Sequence, residues 1–390
     1  MNYVKQDSII NILFIQPYAS HVGGVDTVLL QLVEGLDKDI FKPIVLLPSR
    51  SPYVEKYEEV GAKVIFETIS VFGKPTSLLY YPKNFYKLFI SISKIKKIIK
   101  EYNIHLIHSH KMELMGGNIA GRLTGIPTIQ TIHELPRKPL VAYKAVGYLN
   151  HLFNNNVIVL CERSKVVLKW GKYESKKVRK IYNGIRLQDT NIITSSLKEE
   201  LKLSSEDRIV ITVARLSPMK GIEYLLEAAS QVRKNNSNIK FVIVGDVAFE
   251  NEKQYKEKLF RKAKDLNLEN TVFFLGLRRD VTNLLNQSDL FILPSVYDIF
   301  PTVILEAMNS QLPVIATDVG GVPEMVRDDT GIIVPATNSD ALANAIQDIF
   351  VKDYKKLGVN GRQLLEREFT QEKYVSQTVR LYDELLTNRG

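Results

Sequence analysis

Short runs of apolar residues alternate with longer stretches in which apolar side chains recur every three or four positions, and this alternation continues along the whole chain. The runs at Ile10–Ile15, Ile44–Leu47, Lys63–Phe66, Ile104–His108, Thr128–Thr131, Val157–Leu160 and Val178–Ile181 read as strands. So do Arg208–Val213, Lys240–Val244, Val272–Leu275, Leu290–Leu293, Val314–Ala316 and Gly331–Val334. Most are separated by an amphipathic stretch, the βαβ pattern of a parallel sheet covered on both faces. Thirteen strands are too many for one open sheet of this sort, and the polar stretch from Gln188 to Glu206 is the natural break. The pattern predicts an α/β protein of two Rossmann-like domains, residues 1–188 and 189–370, with a last helix in 371–390 that can cross back to the first domain.

Composition narrows the class. Of 390 residues, 45% are hydrophobic and 24% charged, which excludes a disordered chain, and 21 Gly with 15 Pro exclude a fibrous one. The single cysteine, Cys161, forms no intrachain disulfide, so a reducing compartment is expected. The run Ile9–Ile15 behind the polar Met1–Ser8 is too short for a membrane span or a signal peptide, giving a cytoplasmic reading.

The net charge of +9 is uneven: residues 1–190 hold 27 Lys+Arg against 15 Asp+Glu, a balance of +12, and the remaining residues balance at −3. Eight basic residues between Arg163 and Lys180 face only Glu174. Lys83, Lys87, Lys94, Lys96, Lys97 and Lys100 flank a helical stripe of Phe85, Leu88, Phe89, Ile92, Ile95, Ile98 and Ile99. That helix packs on a sheet or lies on an anionic membrane surface, possibilities that make the protein either free in the cytoplasm or peripheral at the inner face. Packing is the expectation, because a strand follows at once. Nucleic acid is not an expected partner, since aromatic residues are not interleaved with the basic ones for base stacking.

In open α/β sheets ligands sit beyond the carboxyl ends of the strands, so candidates are sought there. Gly23-Gly24 follows the first strand and opens a helix, where exposed N–H groups can receive an anion, although a tight turn explains the pair equally well. The full G-x-G-x-x-G dinucleotide fingerprint is absent. Arg215 and Lys220-Gly221 precede another helix, where two cations can converge on a diphosphate. Asp298 lies in a loop and Glu306 one turn inside a helix among Ile304, Leu305 and Met308, where a carboxylate needs a partner. Sugar or ribose hydroxyls can serve, and so can a base such as Arg215 or Lys220. His105, His108 and His110 are not a metal set, because strand alternation puts His105 on the opposite face. Asp37-Lys-Asp39 lies before a strand, at the wrong edge of the sheet for a metal motif.

Several motifs in order resemble the GT-B-fold glycosyltransferases of retaining family 4, of the bacterial envelope or exopolysaccharide type. They are Gly23-Gly24, Ile107-His108-Ser109-His110, Thr131-Ile132-His133-Glu134, Asn183-Gly184-Ile185, Arg215 with Lys220-Gly221, Val244-Gly245, the carboxylates Asp298 and Glu306, Pro313–Thr317, and Gly320-Gly321-Val-Pro-Glu324. The resemblance implies two domains facing a shared cleft and a nucleotide-sugar donor, most often a UDP-sugar. Arg215 and Lys220 are then diphosphate ligands, Glu306 the ribose ligand, and Asp298, in place of the usual Glu, the ligand of the donor sugar's hydroxyls. Gly24, Phe300 and Thr302 join the donor site, Gly23-Gly24 forms the acceptor and phosphate loop, and His133, Asp298 and Glu306 are the catalytic candidates. The resemblance further implies front-face attack with retention, no cofactor or metal, and a lipid-linked or envelope glycan acceptor bound by the basic first domain. A non-catalytic partner subunit and a nucleotide-sugar epimerase of the same fold are the alternatives.

Overall fold

The computed structural model of the chain describes residues 9–17, 24–73, 79–135, 140–168, 175–189, 195–350 and 354–387. It divides into two compact units, Met1–Gly184 with Gln371–Gly390, and Ile185–Thr370. All the expected strands are present, and every pairing between them is parallel.

In the first unit β1 (Ile10–Ile15), β2 (Phe41–Leu47), β3 (Lys63–Phe66), β4 (Leu106–His110), β5 (Thr128–Ile132), β6 (Asn156–Val159) and β7 (Val178–Lys180) form one sheet in the order β3-β2-β1-β4-β5-β6-β7. In the second, β8 (Arg208–Val213), β9 (Ile239–Val244), β10 (Val272–Gly276), β11 (Leu290–Leu293), β12 (Val314–Thr317) and β13 (Gly331–Val334) run in the order β10-β9-β8-β11-β12-β13. Each order reverses beside its first strand, between β1 and β4 and between β8 and β11. These are the points at which such sheets leave a crevice at their carboxyl ends.

β4 starts two residues later than the apolar run suggests and extends through His110. At its start the His105 imidazole Nδ1 accepts the Asn11 N–H at 3.0 Å. His108 and His110 both lie inside the strand, on one face, with their rings stacked at 4.5 Å.

The helix Tyr80–Glu101 packs on the sheet as expected in its second half and departs from that packing in its first. Ile95, Ile98 and Ile99 are buried, but Phe85 is 54%, Tyr86 69% and Phe89 72% exposed. A helix of 22 residues extends about 33 Å, whereas a five-residue strand such as β4 extends about 17 Å. The helix's first half lies instead along the segment after β3, where Tyr80 Oη accepts the Gly73 N–H at 2.7 Å, Ser70 Oγ donates to the Asn84 carbonyl at 3.1 Å and Phe85 meets Phe72 edge-on at 5.4 Å. The second basic stretch is partly neutralised, with Lys165 and Lys180 paired to Glu162 and Arg179 to Glu384.

The helix Gln371–Thr387 belongs to the first unit's core, where Tyr374, Val375, Val379, Leu381 and Tyr382 pack with Phe14, Leu29, Leu32 and Phe41. Gln371 Nε2 donates to the Gln31 carbonyl at 2.8 Å and to Glu34 at 3.1 Å. At its far end the fully buried Tyr382 hydroxyl shares a 2.7 Å hydrogen bond with His108 Nδ1. Tyr382→Phe should leave a buried imidazole nitrogen unpaired and lower unfolding free energy by about 1–3 kcal/mol, read by urea denaturation. An unchanged midpoint would show that this bond does not hold the helix.

Candidate active site

In the second unit the site grows from the loops after β8, β11 and β12. The chain leaves β8 at Arg215, makes a 3-10 turn at Pro218–Lys220 and enters the helix Ile222–Asn235 through Gly221 at φ +63°. A Cβ on Gly221 would lie 2.1 Å from the Pro294 carbonyl oxygen, so glycine alone lets this turn seat against the β11 loop. That approach puts Lys220 Nζ 2.5 Å from Asp298 Oδ2. Asp298 also accepts from the Ser295 hydroxyl at 3.3 Å and the Ile299 N–H at 3.1 Å. Its loop rests on Gly320, at φ +49°, where a Cβ would come within 2.2 Å of the Asp298 carbonyl oxygen.

Glu306 lies in the helix Thr302–Asn309, half-buried between turns that carry the fully buried Ile304, Leu305 and Met308. Desolvation pushes its carboxyl above the usual carboxylate range. Among the described residues no hydrogen bond or ion pair reaches that carboxylate. The pairing with Arg215 or Lys220 that could have satisfied it is not made: Lys220 goes to Asp298, and Arg215 Nε lies 3.5 Å from Glu252. Thr302 starts the helix, half-buried, while the Phe300 ring is buried edge-on against Phe369 at 5.8 Å.

In the first unit the loops after β4 and β5 come together. His133, just beyond β5, is buried with its Nε2 3.1 Å from His110 Nδ1, and the two rings stack at 5.3 Å. Burial pushes His110 down to about 3 and holds His133 well below the usual range, so both rings are neutral and one must donate to the other. Beneath them His108 Nε2 shares a 2.7 Å hydrogen bond with the Thr131 hydroxyl.

Glu134 joins the two loops. Its Oε2 accepts the His133 N–H at 2.9 Å and the Met112 N–H at 3.2 Å, and its Oε1 lies 3.7 Å from Lys111 Nζ. Lys111 holds φ +90°, a strained conformation for a residue with a side chain, fixed by its N–H to the Thr131 carbonyl and by Gln130 Nε2 to its own carbonyl. Gly24 opens the helix Gly24–Gly35 in the open, where a Cβ would meet nothing within 4 Å. Gly23 lies outside the described residues.

Of the expected site residues the second unit carries Arg215, Lys220, Asp298, Phe300, Thr302 and Glu306, of which Lys220 and Asp298 are in contact, and the first unit carries Gly24 and His133. Glu134, His110 and Glu252 are the additions. Glu134 and His110 stood inside the quoted motifs, whereas Glu252 carries no motif and was findable only by its position after β9.

Residues 22–189 match the model of Glycosyltransferase Family 4, and residues 194–364 match that of Glycosyl transferases group 1. The chain belongs to glycosyltransferase family 4. This glycosyltransferase is 28% identical over 386 residues to the UDP-Gal:alpha-D-GlcNAc-diphosphoundecaprenol alpha-1,3-galactosyltransferase of Escherichia coli, covering 94% of this chain and 95% of that one. It is 30% identical over 219 residues to the N-acetyl-alpha-D-glucosaminyl L-malate synthase of Bacillus anthracis, covering 54% and 55%. Its fold is that of GT-B glycosyltransferases: HepE of Anabaena, solved with UDP, superposes with a TM-score of 0.81 at 22% identity, over 96% of this chain and all of that one.

Burial pushes the Glu134 carboxyl from 4.5 to about 7, against the opposing pull of Lys111 and the two backbone N–H groups. Because the folded value is the higher, this group's contribution to stability is complete below about pH 4.5 and is lost as pH rises through about 7. Glu134→Gln keeps an acceptor for both N–H groups and cannot ionise. Its urea midpoint should therefore gain on that of the wild type between about pH 5 and about pH 8; a constant difference would mean that Glu134 does not titrate there.

Proposed function

We propose that this glycosyltransferase is a retaining, metal-independent enzyme that moves a sugar from a UDP-sugar to a lipid-linked glycan acceptor. The observation that carries the donor reading is the Glu306 carboxylate, desolvated on a helix and without a protein partner among the described residues. Two vicinal ribose hydroxyls offer the donors that such a carboxylate needs. Lys220 and Asp298 are immediate neighbours, as a phosphate ligand and a ligand of the adjoining sugar must be.

In this reading the bond from the sugar's anomeric carbon to the diphosphate oxygen breaks while the acceptor oxygen bonds to the same face. The acceptor's proton passes to the leaving diphosphate. Arg215 and Lys220 stabilise the charge that develops there, the role a metal ion would otherwise have. His133, neutral, is a hydrogen-bonding group for the transferred sugar and not an acid. The name of the Escherichia coli relative, a transferase from a UDP-sugar to a diphosphoundecaprenol-linked sugar, supports both the donor and the acceptor class. Lys220→Ala and Glu306→Ala should each lower kcat/KM for UDP-sugar turnover by roughly 10²–10³-fold in a radiolabelled transfer assay. Undiminished activity in both variants would remove the assignment.

The exposed apolar side chains at the start of the helix Tyr80–Glu101 favour a membrane surface as the place where the lipid-linked acceptor is met. Leu79, Tyr81, Phe85, Tyr86 and Phe89 are exposed there beside the exposed Lys83 and Lys87. No helix among the described residues is long and apolar enough to cross a membrane, so contact would be at the surface. Co-sedimentation should require anionic vesicles, weaken with salt and fall in Lys83→Gln/Lys87→Gln. Equal binding to neutral vesicles would show that the lysines play no part.

A further inference from the structure

Resting on the reading of Arg215 as a diphosphate ligand, we propose that Glu252 and Phe249 are positioning residues that hold the Arg215 guanidinium by one edge and one face, presenting its two terminal nitrogens to the donor's diphosphate. The cradle is built on the loop after β9. Gly245, at φ +131°, lets that loop approach the one after β8 so closely that a Cβ would lie 2.1 Å from the Ala214 carbonyl oxygen. The Leu216 N–H then donates to the Asp246 carbonyl at 3.1 Å, and Lys256 pins the Asp246 carboxylate at 2.7 and 2.9 Å.

Glu252 is only 8% exposed, and its two oxygens have different tasks. Oε2 accepts the N–H groups of Ala248 at 3.0 Å and Phe249 at 3.3 Å, which shapes the loop and places the Phe249 ring. Oε1 faces Arg215 Nε at 3.5 Å, while the guanidinium carbon sits 5.2 Å from the centroid of the Phe249 ring. No hydrogen bond or ion pair among the described residues reaches either terminal nitrogen of Arg215. Those two nitrogens form the planar fork that binds a phosphate through parallel hydrogen bonds.

A carboxylate beside a phosphate-binding cation also has an opposing effect, since it offsets charge that the phosphate would use. The sign of the change on removing it therefore decides between orientation and competition. Titration calorimetry of the full chain with UDP and with uridine reads this sign. Glu252→Ala should weaken UDP binding by about tenfold and leave uridine binding unchanged, and in the Arg215→Ala background it should have no further effect. Glu252→Gln, which keeps an acceptor for the Ala248 and Phe249 N–H groups, should show a smaller loss of the same kind.

Tighter or equal UDP binding by Glu252→Ala would overturn the proposal in favour of charge competition. Equal losses for UDP and uridine, or losses that add in full to those of Arg215→Ala, would overturn it in favour of a merely structural loop. Wild-type protein that takes up uridine but gains nothing from the diphosphate would remove the reading of Arg215 itself, and the proposal with it.

Discussion

Burial of parallel strands on both faces is the constraint from which the rest of this structure follows. A strand such as β1, β6 or β11 has no solvated side, so a polar side chain within it needs a partner inside the protein. The first unit breaks the apolar rule at His108, His110, Gln130 and Thr131, and these residues are tied together and to their surroundings. Asn118 Nδ2 donates to Gln130 Oε1 at 2.9 Å and to Asn150 at 3.2 Å, while Gln130 Nε2 donates to the Lys111 carbonyl. The strained Lys111 turn and the His133 ring thus rest on a polar network laid through the sheet.

The second unit meets the same constraint in another way. Its sheet interior stays almost wholly apolar, and polar chemistry is confined to loops that glycine brings into contact. Gly221, Gly245 and Gly320 each occupy positive φ where a side chain would strike a neighbouring carbonyl. Rigid backbone contacts, more than side-chain packing, therefore set where Lys220, Asp298 and Arg215 stand. Asp298 makes three contacts from a shorter side chain because its loop is carried to Lys220 by this seating.

Most of the fold could be read from apolar runs alone, since strands such as β9 and β11 are closed off by Asn238 and Gly245 and by Asp289 and Pro294. β4 was displaced because its last residues, His108-Ser-His110, are polar, and its two histidines find their partners, Tyr382 and His133, far along the chain or on the next strand's loop. The helix Tyr80–Glu101 was legible as amphipathic, but periodicity carries no information on how far the underlying sheet extends. Motifs located Lys220, Asp298, Glu306 and His133 without disclosing that Lys220 and Asp298 pair while Glu306 has no partner among the described residues. Glu252 was invisible because its significance lies in a contact across two βα loops, which no local spacing encodes.

The bond between Tyr382 and His108 joins residues 274 positions apart. Synthesis proceeds from the amino terminus, so the second unit, continuous from Ile185 to Thr370, is complete before the helix that finishes the first unit has been made. Until then Phe14, Leu29, Leu32 and Phe41 lack the apolar surface that covers them, and His108 Nδ1 lacks the Tyr382 hydroxyl. Loop-closure entropy adds to the delay, because contacts this distant along the chain form late. The unit begun first is finished last, and the nascent protein passes through a stage in which one half is folded and the other still presents an open core.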